Sequence, residues 1–355
     1  MTRWLLLLGL LGTFACEEAR VRNRGRTTST RDAGTLPDSG NVEADAGPSE
    51  EDAGPRPRVP EVDPSCLDGQ YSETLPEAGA DLSEELASYQ QSSVTPFILA
   101  ALEKRYPVGR AIVEGGLANT RLGDCIARFL SPSADGDEVL QQLSTIVHEC
   151  GHFYDLTFST GDRSTYVITP TLRFDCSGGS ARGTFARSLL NQDGYSARRP
   201  PCGPGGGRSC DSYADIYLDG DPTDGTFDSG DQGFDMLLEE TVQYVNSLAS
   251  GYAFADRLPR GISISERDGI LTFLWYTGRY LKLARDSHPV AYLKLSEDTC
   301  WREAILTVWG RAWLYLEATD GDPSLGIDDQ ALIALVRDPE ILGEIQRLRE
   351  AAGCL

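Results

Sequence analysis

Residues 139–156, VLQQLSTIVHECGHFYDL, constrain the fold more than any other stretch of this chain. Placed on a wheel at about 100° per residue, Val139, Leu140, Leu143, Ile146, Val147, Cys150, Phe153 and Tyr154 fall within one apolar arc of roughly 140°. So continuous an arc predicts an amphipathic helix, here over 137–156, with one face buried against another element. The opposite face carries His148, Glu149 and His152. The whole chain of 355 residues has three histidines, and two of them stand four apart on that face. Side chains at i and i+4 lie one above the other, so the two imidazoles can reach a single ion together. Zinc suits them, because neutral imidazole nitrogen is a favoured ligand and a tetrahedral site leaves room for water. The competing reading is a solvated face, for which histidine is a poor choice.

The start of the chain, MTRWLLLLGLLGTFAC, has a charged residue at Arg3, an apolar run from Trp4 to Leu11 and small residues before Cys16. That is the form of a secretory signal, and the run is too short to span a bilayer. Its end resembles a bacterial lipobox, with Ala15 directly before Cys16 and Thr13 where that pattern usually has leucine. The resemblance implies an exported protein, lipid-anchored through Cys16 at the bacterial cell envelope or otherwise secreted. The nine cysteines agree with export. Assigning Cys16 to lipid leaves Cys66, Cys125, Cys150, Cys176, Cys202, Cys210, Cys300 and Cys354, an even set that can form bridges outside the cytosol. Spacing alone suggests one pair, Cys202 with Cys210, around the loop CGPGGGRSC. Cys150, in the middle of the apolar arc, reads as core or disulfide-bonded.

Residues 17–64 nearly lack large apolar side chains and cannot bury enough surface to offset their ordering entropy, so they read as a disordered tether. They hold eleven acids against seven arginines; with Arg3 set aside, residues 65–355 therefore carry −19 of the net charge of −22. A surface that acidic repels phosphate backbones and anionic lipid, which excludes nucleic acid as a partner and leaves the lipid on Cys16 as the only tie to a membrane.

From Cys66 the composition becomes globular. PFILAALEKRYP, 96–107, has a helical pattern that Pro107 stops, and GRAIVEGG, 109–116, is a short strand candidate between glycines. STYVITPTLRFDC and GTFARSLL are β-branched and aromatic enough for strands, and 196–233 is loop-like. Helices are expected over 234–250, 266–286, 300–318, 328–337 and 339–352, giving an α+β domain with a mainly helical C-terminal half.

His148-Glu149-Cys150-Gly151-His152 resembles the HExxH signature of the zincin metallopeptidases. That resemblance implies a zincin-like fold over 65–355, zinc held by His148 and His152, and Glu149 as the general base that takes a proton from the attacking water. A catalytic zinc usually has three protein ligands. The extended metzincin pattern would need glycine at 155 and histidine or aspartate at 158, where the chain has Asp155 and Phe158. His288, followed by Pro289, reads as a helix-end residue. The run Glu239-Glu240-Thr241-Val242-Gln243-Tyr244-Val245-Asn246 is similar to the second motif helix of gluzincins and aligns Glu239 with the third ligand, with Glu240 as the alternative. The wheel does not choose between them, because the two flank the apolar stripe on either side.

Eighty-six residues separate His152 from Glu239, far more than in thermolysin-like members, so 157–233 reads as an insertion. Its end, DGDPTDGTFDSGDQGFD, packs six aspartates among glycines. Oxygen-rich loops of this kind bind calcium, although the spacing misses the EF-hand pattern by one residue and suits a solvated loop equally. Tyr244 is placed to stabilise an oxyanion, but a core role fits it as well. The expectation is a zinc-dependent hydrolase acting on a peptide or protein substrate. The alternative is a non-catalytic cell-surface binding lipoprotein that retains the zinc site.

Overall fold

The computed structural model describes residues 61–199, 211–218 and 232–354. The expected signal, Cys16, Cys202, Cys210 and most of the aspartate-rich loop lie outside the described residues. Helices dominate, and one antiparallel hairpin is the only sheet among the described residues, so the fold is mixed α+β in its coarse form. No helix among these residues is long and apolar enough to cross a membrane.

The first half runs through α1 (Leu67–Gln70), α2 (Ser83–Ser88), α3 (Val94–Arg105), α4 (Pro107–Leu117), α5 (Cys125–Phe129), α6 (Gly136–Leu140) and α7 (Leu143–Phe158) to the hairpin of β1 (Arg163–Thr169) and β2 (Leu172–Ser177). The second comprises α8 (Ser212–Tyr217), α9 (Phe234–Phe254), α10 (Glu266–Ser287), α11 (Pro289–Glu297), α12 (Thr299–Ala318), α13 (Asp329–Val336) and α14 (Pro339–Ala351). The long C-terminal helices fall where the sequence places them, with α11 added after His288. The folded part begins earlier than the expected tether boundary. Glu61 is already buried, and its carbonyl accepts from Trp309 Nε1 at 2.8 Å and Arg349 Nη2 at 2.5 Å.

Four local expectations change, the first being that 196–233, expected to be loop-like, contains helix α8. The helix expected over 137–156 is two helices, α6 and α7, because the chain leaves helical geometry at Gln142 (φ −102°, ψ 1°). Its amide is tied back to the preceding loop, accepting from Ser131 N at 2.8 Å and donating to Ser131 O at 3.2 Å. The strand expected over 109–116 is helix α4. Pro107 opens it at the first helical position, where a missing N–H costs nothing. Its glycines are contact points and not strand boundaries: a Cβ on Gly116 would fall 2.4 Å from Cys150 O, and one on Gly115 2.4 Å from the Tyr154 ring. The stretch 183–190 pairs with no strand. Tyr280 Oη takes both backbone groups of Phe185, at 3.1 Å from its N and 2.5 Å from its O, and Arg187–Gln192 then forms a 3-10 turn.

Helix α7 lies between α4 and α9, and small residues set both spacings. On the α9 side Gly151 has no room for a side chain, since a Cβ would stand 1.9 Å from Gln243 Oε1. Gln243 begins a buried polar string behind the histidine helix. Its Nε2 donates to Asp155 Oδ2 (2.9 Å), Asp155 Oδ1 accepts from Val167 N of β1 (2.8 Å), and its Oε1 accepts from Asn246 Nδ2 (2.8 Å). Asn246 Oδ1 in turn accepts from Arg311 Nη1 at 2.6 Å, and Arg311 pairs with Glu73 at 2.9 Å. Every buried polar group in that string has a partner, which favours one arrangement of α7, α9, α12 and β1 over alternatives.

Disulfides join Cys66 to Cys354, Cys125 to Cys150 and Cys176 to Cys300. The second fastens α5 to the side of α7 turned away from the histidines. It closes a separation of 25 residues, a loop whose closure is worth about 3 kcal/mol in the unfolded chain. The paired variant Cys125→Ala/Cys150→Ala is therefore expected to lose about 3 kcal/mol of stability in urea unfolding followed by circular dichroism.

Candidate metal centre

Helix α7 places His148 and His152 one turn apart, with ring centroids 4.8 Å from each other. Helix α9 runs antiparallel beside it and carries Glu239, Glu240 and Ser247 to the same level. Glu240 Oε2 stands 3.6 Å from His148 Nε2 and 3.7 Å from His152 Nε2. One donor atom from each of these three residues lies within 4.8 Å of the others, so the group can hold a metal ion. Donors at about 2.1 Å from a tetrahedral centre stand about 3.4 Å apart, close to the 3.6 and 3.7 Å from Glu240 to the two imidazoles.

The remaining ring nitrogens are held from behind. His152 Nδ1 lies 2.5 Å from Glu239 Oε1, and His148 Nδ1 lies 3.0 Å from Ser247 Oγ. Ser247 Oγ donates onward to Ser144 O at 3.5 Å and so is placed to accept from the imidazole. With protons on both Nδ1 atoms, both Nε2 lone pairs face Glu240. A carboxylate behind a ligating histidine fixes the ring and raises its basicity. Glu239, aligned with the third ligand in the sequence, therefore stands behind His152, and Glu240 is the carboxylate that could serve as the third donor. Adjacent residues on a helix point about 100° apart, so the two cannot share one role. The pattern could not separate them because α9 is buried nearly all round, with Glu239 at 6% exposure and Glu240 at 1%.

Two observations test whether a cation fits. Glu239 Oε2 and Glu240 Oε2 are buried and have no hydrogen-bond partner among the described residues, a costly condition for a carboxylate that a cation relieves. The local field has the matching sign. Burial opposes a charge on His152, but Glu239 and Glu240 outweigh it and push its pKa up to about 10. Burial likewise works against Glu240, and His152 and His148 overcome it, holding that carboxyl below its usual range. The same pull acts on a divalent cation. Burial pushes Glu149 up, with the two histidines pulling it back and Glu240 and Glu239 adding to the rise.

Asp155, Ser247 and Gln243 carry no signal of a place at this site in the sequence, unlike Tyr244. Asp155, fully buried one turn beyond His152, is raised by burial and then by Glu239, and it anchors β1 to α7. Ser247 and Gln243 lie among apolar residues of α9 with nothing in their spacing to mark them. Tyr244 sets its ring edge-on to His148, centroids 4.9 Å apart, and its hydroxyl lies 3.1 Å from that of Tyr217 in α8. His288 is outside the group; it precedes α11 and stacks on Phe185 at 4.3 Å, as its helix-end position suggested. Cys150 is bridged and takes no part. The calcium expectation rests mainly on residues outside those described; of the six aspartates only Asp235 is placed, with its Oδ1 accepting from Met236 N at 3.0 Å. The chain matches no protein-family model, no curated protein and no solved structure.

Proposed function

We propose that this protein is a zinc-dependent hydrolase, a peptidase of zincin-like fold, exported to the bacterial cell envelope. The observation that carries the reading is the convergence of His148, His152 and Glu240 donor atoms within 4.8 Å, where α9 meets the helix that also carries Glu149. Two imidazoles and one carboxylate form a set that leaves a zinc position open for chemistry, whereas structural zinc sites are closed by four protein ligands. A bound zinc ion supplies Lewis acidity, lowering the pKa of water toward neutrality and polarising a carbonyl group.

The chain's own residues do the rest. Glu149, in the helical turn between the two histidines, accepts a proton from the attacking water and returns it to the leaving amine. Its raised pKa brings it nearer the operating pH, where a general base works best. Glu239 and Ser247 keep the imidazoles in the tautomer whose Nε2 is free. Burial of His148 and Glu240 strengthens every charge interaction at the site. The three disulfides suit an oxidising compartment and support export.

Metal removal tests the reading. Dialysis against a zinc chelator is expected to abolish hydrolysis of unfolded casein by the full chain, and one equivalent of zinc to restore it. Hydrolysis that survives chelation, or a protein that takes up no zinc, overturns the proposal. A protein that holds zinc and never cleaves a peptide supports the surface-binding alternative.

A further inference from the structure

The hairpin of β1 and β2 is fastened to the histidine helix along one edge and open along the other. In an antiparallel ladder a residue's N–H and C=O point to the same side, toward the neighbouring strand or away from it. Thr165 N donates to Ser159 Oγ at 2.9 Å and Val167 N to Asp155 Oδ1 at 2.8 Å, so these two residues of β1 turn away from β2 and onto the end of α7. Their partners across the ladder are Asp175 and Arg173. The backbone groups of Arg173 and Asp175 therefore point out of the opposite edge, where they meet no hydrogen-bond partner among the described residues.

The open stretch is short. At Ser177 the edge closes, because its carbonyl accepts from Trp301 Nε1 of α12 at 3.0 Å, and the Cys176–Cys300 bridge holds α12 alongside. At the other end lies the turn at Pro170, which has no N–H to offer. Between them Arg173 and Asp175 stand 3.4 Å apart on one face, with side chains 49% and 34% exposed. Each is set in place before any partner arrives. The Arg173 guanidinium lies over the Phe158 ring at 4.5 Å, and Asp175 Oδ1 accepts from Thr165 Oγ1 at 2.6 Å.

An open edge attracts other strands, and charged side chains are the usual deterrent. Here the charges are self-complementary. Lay a second β2 antiparallel along this edge with Phe174 opposite Phe174. Arg173 then faces the partner's Asp175, and Asp175 faces the partner's Arg173. Backbone parity agrees, since these are the residues whose N–H and C=O point outward, and each facing pair exchanges both of its hydrogen bonds. A slip of one residue loses that parity. A slip of two sets Arg173 against Arg173 or Asp175 against Asp175, and like charges directly opposite are destabilising.

We propose that the outer edge of β2 is a homodimer interface, where two copies join their hairpins into one sheet across a two-fold axis at Phe174. Such a contact uses the same patch on both subunits, as a closed dimer requires. The charge of −19 on residues 65–355 opposes approach at low salt, but at physiological ionic strength it is screened beyond about 8 Å, while the facing pairs are in contact. Because β1 is tied to α7, the pairing also fixes the two histidine helices relative to each other.

Sedimentation velocity of the full chain in about 0.15 M salt tests this. Wild type is expected to dimerise in the micromolar range. Arg173→Asp or Asp175→Arg alone sets like charges opposite each other on both sides of the axis, and each is expected to weaken the dimer about tenfold or more. The exchange Arg173→Asp/Asp175→Arg restores opposite charges and is expected to return the dissociation constant to within a few-fold of wild type, with circular dichroism confirming that every variant folds. A wild type that stays monomeric overturns the proposal, including one that instead captures a synthetic extended peptide along this edge. A dimer that either single reversal leaves untouched, or that the exchange fails to rescue, overturns it too.

Discussion

Glu240→Gln is expected to abolish stoichiometric zinc binding by the full chain, whereas Glu239→Gln is expected to weaken it by about 10–100-fold. The contrast follows from where the two carboxylates stand. Glu240 Oε2 faces both Nε2 atoms, at 3.6 and 3.7 Å, and a neutral amide there removes the only anionic donor of the set. Glu239 acts on the far side of the His152 ring, through the 2.5 Å contact with Nδ1. Glutamine at 239 can still accept from Nδ1–H, so orientation survives while the charge that raises ligand basicity is lost. Competition with a chromophoric zinc chelator measures both constants. Equal losses, or a larger loss at 239, would mean that the carboxylate aligned with the resembling family's ligand binds the metal after all, and that α9 turns when zinc enters.

For Glu149→Gln the expected result is a loss of about 10²–10⁴ in kcat with zinc affinity within a few-fold of wild type. The amide keeps the size of the side chain but cannot take a proton. Glu149 is not one of the three converging donors, so its replacement leaves the coordinating atoms in place. It also removes one negative charge from a cluster that already holds Glu239, Glu240 and Asp155, and the fold should tolerate that. Steady-state cleavage of a fluorogenic peptide, with metal content measured on the same sample, decides it. Full activity in this variant would remove the enzyme reading while leaving the metal site intact, which separates catalysis from ion binding.

Much of the first motif helix was legible because its information is local. The apolar arc of 139–156 reports burial through a period that depends only on helix geometry; Val139, Leu140, Leu143, Ile146, Val147, Cys150 and Phe153 are in the core, while Tyr154 is half-buried against Gly115 of α4. The same wheel put His148, Glu149 and His152 together, and the structure turns both imidazoles toward one carboxylate. The glycine positions misled for the opposite reason. Gly115 and Gly116 look like boundaries in one dimension, and only the approach of α7 shows that their missing side chains make room for Cys150 and Tyr154. Propensity gave way there to packing.

Sequence by itself determined which helix presents the histidines, which face of it is buried and that a carboxylate from 239 or 240 comes near. Only the tertiary structure decided which of those carboxylates turns inward, that Glu239 and Ser247 stand behind the two imidazoles, and that Gln243 and Asp155 tie α9 to α7 and β1. The division has a physical cause. Periodicity encodes the side of a helix that leaves water, but α9 leaves water on nearly every side, so its pattern carries no direction. Direction there is set by antiparallel contact with α7 at Gly151, where the absence of a single Cβ lets Gln243 and the two glutamates reach the level of the imidazoles.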